Sequence, residues 1–246
     1  VSPPLVSCYD ILKESERKMK ENYFILLLGG SGTRLYQKIH MKKQFYKLQG
    51  KEMFLYPLKS AVESGIFRNI VLVVDKEDQE KVTEIVKKNF PDFPFFLAPA
   101  GKDRNESVKN GLLSLRMKAG PDSYVFIHDS DRVLLSKEFL MTLDQKKEGY
   151  DALTPVLRLH DSILKEGKDG LVYLDREGLD LIQTPQVFRY GKLESLYEHG
   201  YDRKDTDDFK KAVTDGWKVT LVPGLYENFK VTTEDELSLL ERVFSQ

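Results

Sequence analysis

The sequence contains very little cysteine and no long apolar segment. Cys8 is the only cysteine among the 246 residues, which excludes an internal disulfide and a zinc site built from thiolates. The longest aliphatic and aromatic run, residues 23–28, is far shorter than the roughly 20 residues that span a bilayer. The first 22 residues are charged and lack the apolar region of a secretory signal. These absences predict a cytoplasmic protein that does not associate with membranes.

Net charge is nearly absent as well. The chain has 38 Lys and Arg residues against 39 Asp and Glu, a formal charge of −1, whereas a general nucleic-acid-binding protein is usually strongly basic. Nucleic acid is therefore not an expected partner. The 4 histidines have no His-x3-His spacing, which gives no support to a histidine metal site. The balanced total can still conceal cations that are gathered in one pocket.

Short apolar runs alternate along the chain with charged amphipathic segments. The predicted strands are residues 23–28, 70–74, 94–97, 124–128, 152–157, 172–174 and 219–222. The predicted helices are residues 57–64, 77–89, 106–118, 137–147, 207–215 and 234–244, the last opening with the capping box Thr233 and Glu236. This alternation predicts an α/β fold whose mostly parallel sheet is covered on both faces. Ligands of such folds bind beyond the carboxyl ends of the strands.

The predicted domain organisation is simple. Residues 1–22 are expected to form an N-terminal extension, and residues 23–246 a single domain. Within that domain, residues 159–178 interrupt the alternation with two short strand-like runs around a turn signal at residues 167–170. We expect a projecting β-hairpin there, and because an exposed hairpin edge is a liability unless covered, we expect it to meet a partner subunit.

A glycine-rich segment, residues 28–34, directly follows the first predicted strand. Glycines allow a tight turn whose N–H groups form a nest for phosphate oxygens, and Arg34 and Lys43 would add fixed cations. The spacing matches neither the Walker A pattern nor the dinucleotide fingerprint, which would need a glycine at Leu35. Taken alone, the segment is equally compatible with an ordinary glycine-rich turn beside solvated basic residues.

The glycine-rich segment and the segments that follow it resemble the cytidylyltransferase branch of the sugar-phosphate nucleotidyltransferases. The matching segments are residues 29–34, 42–45, 101–108, 128–132, 161–165, 175–176, 183–186, 206–208 and 228–232, in family order. The pattern is similar to that of the 2-C-methyl-D-erythritol 4-phosphate cytidylyltransferases of the non-mevalonate isoprenoid pathway. The resemblance implies a Rossmann-like three-layer fold of the nucleotide-diphospho-sugar transferase type, and a homodimer.

The implied reaction joins CTP to a polyol phosphate and expels pyrophosphate. Both reactants are anionic, so catalysis of this kind depends on positioning and on cations that stabilise the charge of the α-phosphate. The resemblance assigns this catalytic role to Arg34, Lys43 and Lys230. It assigns Asp129, which follows a predicted strand, to a Mg²⁺ ion that bridges the triphosphate, an ion that prefers oxygen ligands.

The resemblance also assigns binding residues. For the nucleotide they are Gly29, Gly30, Gly32, Gly101, Ser107 and Ser130, with Ser107 reading the cytosine. For the polyol phosphate they are Asp161, Ser162, Arg176, Thr206 and Arg132, the hairpin residues reaching into the neighbouring subunit. Ser107 could instead serve only the start of a helix, and Asp129 could simply cap a turn.

The chain departs from the family where Lys42 replaces a usual proline and where Asp131 replaces a small residue. We expect Asp131 to pair with Arg132 or to help hold the metal.

Three alternatives remain open on the sequence. Residues 29–34 and 103–106 lean toward the related ribitol-5-phosphate cytidylyltransferases, whereas residues 175–186 look more like the methylerythritol enzymes. We give more weight to the substrate-side segment and favour methylerythritol phosphate. A second alternative is a protein that binds CTP but has lost catalysis, and a third is a uridylyl- or guanylyltransferase.

Overall fold

The computed structural model of the protein describes residues 21–30, 35, 39–168, 170–200, 205 and 207–245. Residues 1–20 of the predicted N-terminal extension lie outside this part of the chain. Asn22 is already the first residue of a strand, and its side chain donates a hydrogen bond to Asp144 Oδ1 at 2.7 Å. The folded domain therefore includes Asn22, one residue before the predicted boundary.

The described residues form twelve strands and seven α-helices. The strands are β1 (Asn22–Leu27), β2 (Lys47–Leu48), β3 (Lys51–Glu52), β4 (Phe67–Val74), β5 (Phe95–Pro99), β6 (Tyr124–Asp129), β7 (Ala152–Arg158), β8 (Ile163–Gly167), β9 (Gly170–Leu174), β10 (Asp180–Ile182), β11 (Gln186–Arg189) and β12 (Val219–Pro223). The helices are α1 (Leu55–Ser64), α2 (Gln79–Asn89), α3 (Arg104–Leu115), α4 (Lys137–Lys146), α5 (Tyr190–His199), α6 (Phe209–Thr214) and α7 (Glu234–Phe244).

Eight of these strands make one mostly parallel sheet in the order β10-β7-β11-β6-β1-β4-β5, with β12 paired to β7. The strands β6, β1, β4 and β5 pair in parallel, while β11 runs antiparallel between β6 and β7. The predicted α/β class and mostly parallel sheet are confirmed. Parallel neighbours bring the carboxyl ends of β1 and β6 to the same edge, where Leu27 pairs with Asp129.

The central strand β1 supplies both layers of the core. Its side chains point alternately to the two faces of the sheet, as in any strand. Phe24 and Leu26 pack into the cluster that contains residues of α1, α2 and α4, while Tyr23 and Ile25 pack into the cluster under α3, α5 and α6. Every residue of β1 is buried, which explains why the sequence is a continuous apolar run rather than an alternating one.

A third, smaller core lies beneath helix α7. Leu237 and Leu240 of this helix pack with Val231, Val133 and Met53. The predicted capping box is present: the Thr233 hydroxyl accepts a hydrogen bond from the Glu236 N–H, and the Glu236 carboxylate accepts one from the Thr233 N–H at 2.7 Å. The box fixes where α7 begins, immediately after the segment that contains Lys230.

Several elements differ from the sequence-based expectation. Helix α3 begins at Arg104 and not at residue 106, because the Asp103 carboxylate accepts a hydrogen bond from the Glu106 N–H and caps the helix there. Helix α5 and strands β10 and β11 were not predicted. The buried residues of α5 do recur at helical spacing: Tyr190, Leu193, Leu196 and Tyr197. The strand β11 has only four residues, too few for a clear period.

The predicted hairpin is present as β8 and β9, which pair only with each other in an antiparallel register. Its apolar side chains are unusually exposed: the exposed fraction is 76% for Tyr173, 65% for Leu171 and 56% for Val172. An isolated two-stranded hairpin is at best marginally stable in water. Within the described part of the chain, no helix has the length and apolar character needed to cross a membrane.

The capping box predicts a measurable contribution to stability. Replacing Thr233 by Val removes the hydroxyl that accepts from Glu236 while keeping the side-chain shape, and we expect it to lower the free energy of unfolding by about 1 kcal/mol. Thr233→Ser keeps the hydroxyl and should retain most of that stability. Urea unfolding of the two variants beside the wild type tests this; equal midpoints for Thr233→Val and the wild type would contradict it.

Candidate active site

Residues of five of the nine matched segments, 29–34, 42–45, 101–108, 128–132 and 228–232, meet in a cavity at the carboxyl edge of the sheet. Its volume is about 290 Å³. The lining residues are Leu27, Gly29, Gly30, Lys43, Gln44, Gly101, Lys102, Asp103, Arg104, Ser107, Asp129, Ser130, Asp131 and Lys230. A larger cavity of about 790 Å³ borders the opposite end of β6, between Asp122 and Arg189, and contains none of the predicted site residues.

The floor of the cavity is the turn that follows β1. Gly30 has a φ of +108°, a conformation that strongly favours glycine. Gly29 lies so close to the next loop that a Cβ atom there would stand 2.5 Å from the Cβ of Ala100. The turn thus requires glycine at both positions. The predicted phosphate-binding residues Gly32 and Arg34 lie outside the described residues.

Lys43 enters the cavity from a short 3-10 helix, Lys43–Phe45. Its ammonium group donates hydrogen bonds to the Asp131 carboxylate and to the Val231 carbonyl oxygen, the latter at 3.1 Å. The next side chain, Gln44, donates to the Leu28 carbonyl oxygen at 2.7 Å and so ties this helix to the end of β1.

The preceding residue, Lys42, holds the same helix from the other side. Its Nζ lies 2.8 Å from Asp75, 2.7 Å from Glu77 and 2.6 Å from Asp78. Burial by itself would lower the pKa of Lys42, but its hydrogen bonds to these carboxylates raise the pKa. The three acidic groups are close enough together to hold a metal ion. The ammonium group of Lys42 already fills that space, so this cluster does not fit a metal.

Asp129 lies at the centre of the ionic network, at the carboxyl end of β6. Its Oδ2 lies 2.9 Å from Lys230 Nζ, and its Oδ1 lies 3.3 Å from Arg104 Nε. Burial by itself would raise the pKa of Asp129, but the charges of Arg104 and Lys230 hold the pKa well below its usual range. Asp129 is therefore a carboxylate at any physiological pH.

Arg104 lies in a matched segment but carries no predicted role. Its Nη1 donates to Asp208 Oδ2 at 2.7 Å, while its Nε faces Asp129, so the guanidinium joins the start of α3 to the residue before α6. The residue type was the one signal in the sequence for this role, because the planar guanidinium of an arginine is well suited to hold two carboxylates. Only the fold brings residues 104, 129 and 208 together.

Lys230 is held at the cavity by the segment between β12 and α7. Asn228, which is buried, donates to the Thr184 carbonyl oxygen at 2.7 Å, and Val231 is buried in the third core. Burial by itself would lower the pKa of Lys230, but Asp129 and Asp131 raise the pKa above its ordinary value. The structure brings together Lys43, Lys230 and Asp129, as the sequence predicted.

Behind Asp129, His128 is fully buried in a chain of hydrogen bonds. The Asp129 N–H donates to Thr184 Oγ1 at 3.2 Å, and Thr184 Oγ1 lies 3.0 Å from His128 Nδ1. His128 Nε2 lies 3.1 Å from the Arg132 carbonyl oxygen, which identifies Nε2 as the protonated nitrogen. Burial lowers the pKa of His128 to about 3, so the imidazole is neutral and structural.

Gly101 and Ser107 form one compact turn that lines the cavity. The Gly101 N–H donates to Ser107 Oγ at 2.9 Å, and that hydroxyl donates to the Asp103 carbonyl oxygen at 2.9 Å. Ser107 therefore stabilises the start of α3 and also lines the cavity. Ser130 lies opposite, and its N–H donates to the Leu27 carbonyl oxygen at 3.2 Å.

The predicted substrate residues lie away from this cavity. Asp161, Ser162 and Arg176 are exposed at the base of the hairpin, and Arg176 donates to the His160 carbonyl oxygen. Thr206 lies outside the described residues. Arg132 does not line the cavity; its Nη1 donates to the Asn228 carbonyl oxygen at 2.8 Å. Asp131 hydrogen-bonds to Lys43 and not to Arg132, which corrects the pairing expected from the sequence.

Comparison with solved structures gives the fold class. The fold matches the crystal structure of 4-diphosphocytidyl-2C-methyl-D-erythritol synthase from Anaerococcus prevotii with a TM-score of 0.79, covering 93% of this chain and 100% of that one at 22% identity. At that identity the likeness establishes the fold alone, which is an α/β fold built on a mostly parallel sheet.

Sequence comparison is more specific. The pattern of the family IspD, 2-C-methyl-D-erythritol 4-phosphate cytidylyltransferase, matches residues 23–246. The chain is 33% identical over 218 residues to the protein of that name from Thermotoga neapolitana, covering 89% of this chain and 94% of the relative. It is 32% identical over 231 residues to the one from Clostridium kluyveri, with coverage of 92% and 97%. The chain therefore belongs to the 2-C-methyl-D-erythritol 4-phosphate cytidylyltransferase family.

The buried, neutral His128 predicts a specific acid sensitivity. Its pKa falls from 6.5 to about 3 on folding. Between these two pH values, His128 is mostly protonated in the unfolded chain and mostly neutral in the folded protein. The stability contributed by His128 is thus complete above pH 6.5 and declines as the pH falls toward 3. We expect the stability advantage of the wild type over His128→Gln to shrink by about 2 kcal/mol between pH 7 and pH 5.

Urea unfolding at the two pH values measures this difference directly. Comparison with the variant cancels the contributions of the carboxylates. His199→Gln, which changes an exposed histidine, should follow the wild type at both pH values. An advantage over His128→Gln that is as large at pH 5 as at pH 7 would contradict the prediction.

Proposed function

We propose that the protein transfers the CMP group of CTP to 2-C-methyl-D-erythritol 4-phosphate, giving 4-diphosphocytidyl-2-C-methyl-D-erythritol and pyrophosphate in isoprenoid precursor synthesis. The observation that carries this proposal is the family match over residues 23–246. The relatives that match over nearly their whole length bear the methylerythritol name, which disfavours the ribitol phosphate alternative. The location that we propose for this activity is the cytoplasm.

In the proposed reaction, Lys43 and Lys230 stabilise charge. A phosphate oxygen of the polyol phosphate attacks the α-phosphorus of CTP, and the bond to the pyrophosphate leaving group breaks. Both ammonium groups line the cavity, where they can neutralise the charge that spreads over the α-phosphate oxygens. Arg34, from the glycine-rich segment, is proposed as the third cation. No general base is required because the attacking phosphate is already ionised.

Asp129 is proposed to face a Mg²⁺ ion. The fit rests on the donor: the carboxylate lines the cavity and is held ionised by Arg104 and Lys230, and Mg²⁺ prefers such oxygen ligands beside phosphates. When bound, the ion would neutralise the triphosphate. Asp129 also keeps Lys230 directed into the cavity, at 2.9 Å from its Oδ2.

The nucleotide is proposed to lie between the two glycine-containing turns. Gly29, Gly30 and Gly32 would offer backbone N–H groups to the phosphates, and Ser130 would contact the ribose. Gly101 and Ser107 would read the cytosine, since both line the same cavity as Gly29 and Gly30. Arg132, which is bonded to the Asn228 carbonyl oxygen, is proposed to act on the polyol phosphate from the rim.

The hairpin supports a proposed homodimer. Its strands have no partner in the rest of the described chain, and they expose Leu171, Val172 and Tyr173, an apolar surface of the kind that marks protein contacts. Asp161, Ser162 and Arg176 at its base are proposed to bind the polyol phosphate in the neighbouring subunit, together with Thr206. This arrangement would explain why Asp161, Ser162 and Arg176 lie away from the cavity of their own chain.

Turnover with defined substrates tests the function. We expect the purified protein, with CTP and Mg²⁺, to release pyrophosphate and form the cytidylylated product with methylerythritol phosphate but not with ribitol 5-phosphate. We expect Lys43→Met to lower kcat by about 100- to 1,000-fold, as for other groups that stabilise transition-state charge. Chelation of Mg²⁺ by EDTA should abolish turnover.

The controls for this assay separate the alternatives. Lys88→Met changes an exposed lysine of α2 and should leave kcat unchanged. Turnover of ribitol 5-phosphate alone would overturn the substrate assignment, and preference for UTP or GTP would overturn the nucleotide. CTP binding without pyrophosphate release would identify a protein that has lost catalysis.

Disruption of the hairpin surface tests the dimer. We expect light scattering to give twice the mass of the 246-residue chain for the wild type and a single chain for Tyr173→Lys combined with Leu171→Glu. This double variant should have a higher KM for methylerythritol phosphate than the wild type, and its affinity for CTP should be unchanged. A wild type that is monomeric at assay concentrations would defeat the proposal.

A further inference from the structure

Asp131 stands between the two lysines of the cavity and has no role in the reaction as described so far. It follows β6 in the loop that begins at Ser130, and only 7% of its surface is exposed. The family resemblance predicts a small residue here. A buried carboxylate beside two bound anions would repel both of them, so its presence requires an explanation.

The contacts of Asp131 join three separate segments of the chain. Its Oδ2 accepts a hydrogen bond from Lys43 Nζ, and its Oδ1 lies 3.9 Å from Lys230 Nζ. The backbone carbonyl oxygen of Asp131 accepts from the Val231 N–H at 2.9 Å, while the Val231 carbonyl oxygen accepts from Lys43 Nζ at 3.1 Å. The loop after β6, the 3-10 helix and the segment before α7 therefore meet at this one residue.

Asp131 is the carboxylate that both Lys43 and Lys230 approach. Asp129 is already shared between Arg104 and Lys230, whereas the only carboxylate that Lys43 contacts among the described residues is that of Asp131. Two ammonium groups in a partly buried cavity repel each other, and more strongly than in bulk water. Oδ1 accepts no hydrogen bond from any described residue, so the carboxylate is hydrogen-bonded to Lys43 through Oδ2 and approaches Lys230 only as a longer ion pair.

We propose that Asp131 is a positioning residue that holds Lys43 and Lys230 at the separation needed for the transition state, and that it does so at the expense of CTP affinity. The proposal rests on the proposed cytidylyl transfer, because it concerns the two lysines that would act there. Before CTP binds, the carboxylate takes the place of a phosphate between the lysines. When CTP binds, the same negative charge opposes the triphosphate.

This role predicts opposite effects on binding and on rate. Removing the charge should strengthen the attraction of the cavity for CTP. Removing the oxygen that accepts from Lys43 should let the two lysines move apart and slow the chemical step. A merely structural residue would not improve CTP binding when it is replaced, so the two effects together distinguish the proposed role.

The experiment compares Asp131→Ala and Asp131→Asn with the wild type. Calorimetry with CTP in the absence of metal measures binding, and pyrophosphate release measures kcat and KM. We expect Asp131→Ala to bind CTP roughly three- to ten-fold more tightly, with a gain that shrinks at high salt, and to lose about ten-fold or more in kcat. Asp131→Asn should bind CTP as tightly as Asp131→Ala does. It should nevertheless recover most of the wild-type kcat, because its amide oxygen still accepts a hydrogen bond from Lys43.

Asp92→Ala is the matched control, since it removes an exposed carboxylate from the chain, and it should behave as the wild type. The proposal is overturned if Asp131→Ala binds metal-free CTP no more tightly than the wild type, or if it keeps the wild-type kcat. Weaker binding of CTP only when Mg²⁺ is present would instead make Asp131 a metal ligand and would also overturn it. Failure of the wild type to turn over would refute the proposed function, while the metal-free binding comparison still decides the effect of Asp131 on affinity.

Discussion

The structure depends on a set of ion pairs that concentrates charge at one edge of an otherwise apolar sheet. Two buried aspartates, Asp129 and Asp131, are shared among Arg104, Lys43 and Lys230. A cluster of buried cations with no counterion would oppose folding, because each charge loses its hydration. The aspartates make the cluster compatible with the folded state before any anionic ligand arrives. The cavity thus gathers four cations, Lys43, Lys102, Arg104 and Lys230, beside three aspartates, Asp103, Asp129 and Asp131, so most of its positive charge is balanced within the site.

The elements that the sequence predicted well are those whose signal is local. The run at residues 23–28 is entirely apolar because β1 is buried on both faces, and the capping box at Thr233 specifies the start of α7 within a few residues. Gly30 is required by the positive φ of its own turn. Motif order then linked these local signals to a family, which the comparison confirmed over residues 23–246.

The features that the sequence could not provide are contacts between distant segments. Nothing local pairs Arg104 with Asp208, Lys42 with Asp75, or Asp131 with Lys43, since more than thirty residues separate the members of each pair. Local sequence around Asp131 suggested its neighbour Arg132, which instead bonds to the Asn228 carbonyl oxygen. Helix α5 was missed although Tyr190, Leu193 and Tyr197 recur at helical spacing. The other elements that were not predicted are short strands, which form because a neighbouring strand pairs with them.

The alternation of side chains along β1 has a consequence for cooperativity. Phe24 and Leu26 belong to one helical layer, and Tyr23 and Ile25 to the other, so the same six residues anchor both. Neither layer can melt while its neighbour remains intact, because the strand that they share would lose half of its packing. The two helical layers are thereby built to unfold as one unit. The hairpin, whose strands pair only with each other, lies outside this unit and can open without disturbing β1.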